Sequence, residues 1–458
     1  MSRGILAVGA YAPDNRVAAE AFEDAWGRFE APGVETKAVP DADEDALTMG
    51  VEAARRALSA GDTPGAALGS LSVATTTPPL AEEDLTPRLA SYLDAPEDAA
   101  MRIYGGHTRA GADALLDALE RDGTALVVAA DCPAGDPDDS REHAAGAGAA
   151  ALLVGPDAPT TVVETASAAD PRPGTRFRRA GSDALEGLDV GTYGRAAYTE
   201  PIESAAAEVA GTADAVAVQA PNGELPYRTG LDTEAIAAVE TVSELGDTAA
   251  ASVPLGLARA FDAGHERTLG VAWGSGAGAV AVRLEGTAPV ESSLSGGGEL
   301  DYPAYLRRRG DVVDGTPDGG AAHVPVPTWR RSLPQRHRLE SGRCPACGAV
   351  AFPPEGACPD CRRLVDYEPV EPSLSGVVEA ATTIGQGGAP PEFAEQQARQ
   401  GAFSVAIARF DAGDGSVSLP IQAVDAVDVG GHVRAVPRRI YTEEGVPRYG
   451  LKARPEPR

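Results

Sequence analysis

Read from its start, the chain alternates short apolar runs with segments of helical periodicity. Residues 4–11, 71–77, 125–131 and 146–154 are apolar runs of strand length. Residues 45–58 repeat their apolar positions at helical spacing behind an aspartate suited to capping, and 85–93 and 109–119 read as further helices. The order then recurs. Runs at 213–219, 268–274 and 279–284 predict strands, and residues 246–261 predict a helix opening on Gly-Asp-Thr. Strands separated by helices of this length imply an α/β fold with a sheet covered on both faces. GAGAAALLVG (146–155) and GSGAGAVAVRLEG (274–286) look like equivalent strands of two similar halves, which predicts an internal duplication.

Beyond residue 314 the pattern changes. A Gly/Pro-rich connector at 314–334 gives way to short strands at 374–384, 403–410, 418–424 and 431–439, separated by Gly/Asp turns. That spacing predicts a small β-barrel of the OB type. The expected domains are 1–158 and 159–313 for the two α/β halves, a linker at 314–336, a ribbon at 337–371 and the barrel at 372–458.

Charge refines the class. The formal net charge is -29 over 458 residues, and Lys37 and Lys452 are the only lysines. Acidic residues are spread rather than blocked, which predicts a halophilic surface whose carboxylates hold water in concentrated salt. The same balance argues against a nucleic-acid partner, which requires a basic face. No run approaches the ~20 apolar residues of a membrane span, so the expectation is a cytoplasmic protein without membrane contact.

Four of the five cysteines fall in RCPACGAVAFPPEGACPDCR (343–362). Cys344 and Cys347 form one Cys-x-x-Cys knuckle, and Cys358 and Cys361 form a second. Two disulfides would use the same residues, but paired knuckles on tight turns supply the four soft ligands of tetrahedral zinc. Such a closed site would be structural. Cys132, at the end of an apolar run before Pro133, reads as a small core residue.

Several stretches together carry a family resemblance: GAYAPDNRV (9–17), KAVPDADEDALTMGVEAARRAL (37–58), AADC (129–132), APNGELPYR (220–228), GDTAAASVPLGLARAF (246–261), GSGAGA (274–279) and DYPAYLRRRG (301–310). In this order they resemble the archaeal hydroxymethylglutaryl-CoA synthase branch of the thiolase superfamily. The resemblance implies a duplicated thiolase fold, dimeric or hetero-oligomeric, with a CoA thioester as ligand between the halves. Residues 337–458 are similar to the zinc-ribbon/OB proteins that accompany thiolase-superfamily enzymes, which implies an acyl-CoA enzyme as partner. The pocket residues implied are Gly274, Ser275, Gly276, Pro221 and Asn222.

The family's chemistry uses a cysteine thiolate as acyl carrier, a glutamate as base and a histidine that positions the second thioester. Matching Arg109-Ala-Gly111 to the family's Lys-Ala-Gly places Thr108 at the nucleophile; matching Tyr104-Gly-Gly106 places Ile103 there, in poorer helical register. The base falls in 74–77, at Thr76. The histidine falls on Gln219, and the asparagine of the family's Gly-Asn-Thr motif on Asp247. Thr108 with His107 as base is one possible nucleophile, though a threonine at a helix start ordinarily caps it. Two readings follow: a catalytically degenerate acyl-CoA-binding scaffold, or an active acyltransferase condensing acetyl-CoA with an acyl-CoA in isoprenoid or lipid metabolism.

Overall fold

The Asp45 carboxylate accepts from the amides of Leu47 and Thr48, while Thr48 Oγ1 accepts from the Asp45 amide. This reciprocal cap starts α1 (Ala46–Ala60), whose apolar positions are almost all buried. The computed structural model describes residues 3–188, 190–209, 211–276, 278–312, 324–385 and 388–456. They divide into two compact units, Met1–Tyr305 and Leu306–Arg458.

The first unit is built on ten strands: β1 (Arg3–Tyr11), β2 (Ser70–Ala74), β3 (Ala100–Tyr104), β4 (Ala125–Asp131), β5 (Gly148–Pro156), β6 (Thr160–Ala169), β7 (Ala215–Val218), β8 (Arg267–Trp273), β9 (Gly278–Glu285) and β10 (Val290–Ser293). Their order is β3-β2-β4-β5-β1-β6-β9-β8-β7, with β10 parallel to β1. The duplication is visible in the pairing. In the first half β1, β5 and β4 are successively antiparallel, and β2 and β3 continue parallel to β4. In the second half β6, β9 and β8 are successively antiparallel, and β7 continues parallel to β8. The two runs proposed as equivalent thus become β5 and β9, each the middle of an antiparallel triplet. The halves join through two residue pairs, Gly4 with Thr161 and Ile5 with Thr160. A Cβ on Gly4 would lie 1.8 Å from the Thr160 carbonyl oxygen, so this junction admits only glycine. β4 is buried throughout, and β5 is buried up to its last residue, as strands covered on both faces must be.

Three helices matter for the site: α2 (Ala110–Leu119), α3 (Gly191–Ala207) and α4 (Ser252–Asp262). Two boundaries differ from the sequence reading. The strand expected over 71–77 stops at Ala74, because Thr75, Thr76 and Thr77 turn onto the carboxylate of Asp131. The helix expected from 246 begins at Ser252, after a 3₁₀ turn at Ala249–Ala251.

His143 lies in a small aromatic cluster of the first unit. It stacks flat on Phe29 at 5.3 Å between ring centroids, and its Nδ1 accepts from the Glu30 amide. Burial and the nearby Lys37 charge hold its pKa below the ordinary value, against Glu30 and Glu142. A histidine held neutral in the fold contributes stability above its unfolded pKa of about 6.5 and loses it as pH falls toward the folded value. Thermal midpoints measured between about pH 7 and pH 5 are therefore expected to fall less steeply in His143→Gln than in the parent. Parallel curves for the two proteins would refute this.

The second unit begins its ordered core with α5 (Val326–Arg331) and α6 (Leu333–Arg338). These occupy much of the expected 314–336 connector, whose residues 314–323 lie outside the described residues. A three-stranded ribbon follows, β11 (Ser341–Arg343), β12 (Val350–Ala351) and β13 (Glu368–Val370), in the order β12-β11-β13. The barrel strands are β14 (Ser375–Ile384), β15 (Phe403–Ala412), β16 (Gly415–Gln422), β17 (His432–Glu443) and β18 (Val446–Pro455), ordered β16-β15-β14-β17-β18. Just past β16, Ala423 bridges Ala453 of β18, and the Val424 amide bonds the Ala453 carbonyl at 2.9 Å. The sheet is thereby nearly closed, as an OB-type barrel requires.

Candidate acyl-CoA site and zinc ribbon

Gln219, Asp247 and, through Asp131, Thr76 converge on the 3₁₀ turn Ala249–Ala251. Asp131, at the end of β4, is fully buried and accepts at Oδ1 from the amides of Thr76 and Thr77 (2.8 Å each) and from the hydroxyls of Thr75, Thr76 and Thr77. Its Oδ2 accepts from the Ala250 amide at 2.8 Å. Burial raises its pKa, and these donors pull it back. Gln219 is buried after β7, and its Nε2 donates to the Ala249 carbonyl at 2.8 Å. Asp247 Oδ1 accepts from the Ala249 amide, and Asp247 pairs closely with Arg176. From the fourth side, α2 approaches so closely that a Cβ on Gly111 would lie 2.4 Å from the Ala250 carbonyl oxygen.

Thr108 does not cap α2. Its buried hydroxyl donates across the sheet to the Trp273 carbonyl at 2.6 Å, and α2 has no side-chain cap at its start. His107 Nε2 lies 3.6 Å from Asp113, and burial lowers the histidine pKa. Ile103, the other alignment of the nucleophile, is an exposed residue of β3. Cys132 neighbours Thr77, and burial, with the charges of Asp45 and Asp131, pushes its thiol up to about 12. At neutral pH it is a thiol, not a nucleophilic thiolate.

Beside the hub lies a cavity of about 270 Å³ lined by Pro221 and Asn222 together with Arg141, Arg176, Tyr198, Asp247 and Trp273. Asn222 uses its side-chain carbonyl to accept from the amides of Glu224 and Leu225, fixing the turn. Gly274, Ser275 and Gly276 form the adjoining turn: the Gly274 amide bonds the Gly278 carbonyl, and the Gly276 amide reaches Thr175 Oγ1. The arginines, Tyr198 and Trp273 had no motif to mark them in the sequence. With lysine almost wholly replaced by arginine, an arginine that lines a cavity does not stand out from those at the surface.

In the second unit the two knuckles repeat one geometry. The Cys344 amide bonds the Ala349 carbonyl and the Gly348 amide bonds the Cys344 carbonyl; the Cys358 amide bonds Arg363 and the Arg362 amide bonds Cys358 in the same way. Gly348 and Arg362 occupy equivalent left-handed positions, at φ 81° and 60°. The four sulfurs lie within 4.8 Å of one another, with Cys344 to Cys361 at 3.8 Å and Cys347 to Cys358 at 3.6 Å. Zinc at about 2.3 Å from each thiolate requires S···S edges of about 3.8 Å, whereas a disulfide needs about 2.05 Å. The residues therefore fit zinc. Arg362→Gly is expected to leave zinc content unchanged and to alter stability by less than about 1 kcal/mol, since relief of the left-handed side chain opposes the added entropy of glycine. Loss of zinc in that variant would show that the Arg362 side chain supports the knuckle.

A duplicated α/β unit with a four-thiolate ribbon and a nearly closed barrel defines a thiolase-like protein with an appended zinc-ribbon/OB part. Residues 331–366 match the ChsH2, rubredoxin-like zinc ribbon domain. The chain is 29% identical over 346 residues to a hydroxymethylglutaryl-CoA synthase of Aeropyrum pernix, covering 68% of this chain and 95% of that protein. It is 36% identical over 164 residues to the Thermococcus gammatolerans enzyme of the same name, covering 35% of this chain and 47% of that one. A crystal structure of a hydroxymethylglutaryl-CoA synthase complexed with CoA superposes with a TM-score of 0.62 at 17% identity, over 71% of this chain and 95% of that chain. The chain is thus similar to hydroxymethylglutaryl-CoA synthases over most of its length, and it carries a zinc ribbon. Among the described residues, no helix is long and apolar enough to cross a membrane.

Proposed function

We propose that the α/β unit binds an acyl-CoA thioester without condensing it, and that the ribbon and barrel recruit an acyl-CoA enzyme of the thiolase superfamily. One observation carries this reading: the three positions for nucleophile, base and histidine hold Thr108, Thr76 and Gln219, and each side chain is engaged in the scaffold. Acyl transfer needs a nucleophile beside a base, and a hydroxyl that donates to a main-chain carbonyl has neither a thiolate's reactivity nor a proton acceptor suited to catalysis. Glutamine can donate and accept hydrogen bonds but does not shuttle a proton near neutrality. Arg141 and Arg176, paired with Asp139 and Asp247, line the 270 Å³ cavity and offer guanidinium donors that an anionic group such as a phosphate of CoA would share.

The test is calorimetric binding of acetyl-CoA to the full chain in concentrated salt, with free CoA release assayed from acetyl-CoA plus acetoacetyl-CoA. Binding without turnover is expected, together with co-purification of a thiolase that is lost on truncation before Arg338. Turnover that survives Cys132→Ala and disappears in Thr108→Ala would establish the active-acyltransferase reading instead.

A further inference from the structure

The second unit holds a cavity of about 530 Å³, larger than the one described above, among α6, the ribbon and one end of the barrel. This is the size of a small-molecule site. Its wall is mostly apolar, with Phe352 from the ribbon and Phe393, Phe403, Leu419, Ile421 and Leu451 from the barrel region. One strongly polar group stands in it. Arg336 of α6 lies with its guanidinium 3.9 Å above the Trp329 ring and donates from Nε to Ser332 Oγ. In a chain with 68 acidic residues against 39 basic ones, its neighbours are paired: Arg338 with Glu371, Arg399 with Glu395 and Arg448 with Glu443. Among the described residues Arg336 has no carboxylate in ion-pair range. The nearest charge of the same sign is Arg448, whose guanidinium lies 5.0 Å from the same Trp329 ring. Gln422 adds a buried side-chain oxygen without a partner.

Half-buried against the Trp329 ring, the Arg336 guanidinium gives up part of its hydration without a counter-ion, and a ligand that brings one offsets that cost. The guanidinium fork is suited to a planar carboxylate, and the aromatic and aliphatic wall to a hydrocarbon chain. We infer that this cavity binds an amphipathic carboxylate, an apolar chain ending in a free acid, with Arg336 holding the carboxylate and the barrel wall enclosing the chain. The site is separate from the acyl-CoA cavity of the first unit and does not depend on the function proposed for it.

Isothermal titration of the full-length zinc-loaded protein with decanoate, decanol and decanoyl-CoA tests the assignment. Decanoate is expected to bind, and Arg336→Gln to weaken it at least about tenfold, as loss of a charge-assisted pair predicts. Decanol should bind more weakly and with the same affinity in both proteins. Phe393→Ala should weaken both ligands together. Zinc content and thermal midpoint, unchanged in Arg336→Gln, establish that the ribbon and barrel remain folded; if they change, Arg336→Lys, which keeps the charge but not the fork, serves in its place and is expected to bind decanoate at an intermediate affinity. Equal decanoate binding by parent and Arg336→Gln would overturn the assignment. So would tighter binding of decanoyl-CoA than of decanoate, which would make the cavity a thioester site.

Discussion

Replacing Cys358 with serine is expected to strip the protein of its zinc and to unfold the ribbon. Cys344 and Cys358 are fully buried, so each sulfur faces the other three and not water. The ribbon's strands have three, two and three residues, too few to bury a core of their own. Structural zinc in comparably small motifs is worth roughly 10–16 kcal/mol of apparent folding free energy near neutral pH. That exceeds anything eight strand residues can supply, so metal and fold are lost together. The measurement is zinc per chain by elemental analysis, with hydrogen exchange over 341–370 before and after chelation. One zinc per chain in the parent, none in Cys358→Ser, and loss of exchange protection confined to the second unit are expected. Protection that persists in excess chelator, with the mass of two disulfides, would refute the metal reading.

Much of this organisation was readable before any coordinates. The knuckle spacing identified the ribbon because only one geometry brings two Cys-x-x-Cys turns to a common point. The β5 and β9 runs were readable because strands buried on both faces are continuous apolar segments. What escaped was structure whose signal is tertiary. The strand Thr160–Ala169 alternates threonine, serine and alanine with few large apolar residues, and it buries only its first residue fully. The helix Gly191–Ala207 contains Pro201, which argues against a helix by local preference. The fifth barrel strand, Val446–Pro455, lies beyond the four runs read for the barrel. At the site, the substitutions at Thr76, Thr108 and Gln219 were legible one by one. The attachment of Gln219, Asp247 and Asp131 to one turn, Ala249–Ala251, was not, because the three are far apart in sequence and meet only through its backbone groups.

On the scaffold reading proposed above, that turn explains how the fold outlasts its catalytic residues, and it makes Asp131→Ala the most damaging single change expected in the first unit. Ala249 holds a left-handed φ of 44°, unusual for a residue with a Cβ, so its turn needs external support. Asp131 provides it, with Asp247 and Gln219 bonding the neighbouring Ala249. Alanine at 131 orphans the main-chain amides of Thr76 and Ala250 and leaves that of Thr77 only the Thr75 hydroxyl as acceptor. At about 1–3 kcal/mol for each unpaired group, the loss is roughly 2–6 kcal/mol. Asparagine should cost less, because its carbonyl oxygen can still accept from Thr76 and Thr77; its amide nitrogen would then meet the Ala250 N–H donor to donor. Chemical denaturation of the three proteins should therefore rank parent, Asp131→Asn, Asp131→Ala in falling stability. Acetyl-CoA binding should fall with it, since the same turn positions Asp247 at the cavity. A Thr76→Val control separates this from ordinary hydroxyl loss: the Thr76 amide still bonds Asp131, so the cost should stay near 1 kcal/mol, within the range of about 0.5–1.5 for one hydrogen bond. If Asp131→Ala costs no more than Thr76→Val, the carboxylate is not what holds the turn, and the persistence of this scaffold needs another explanation.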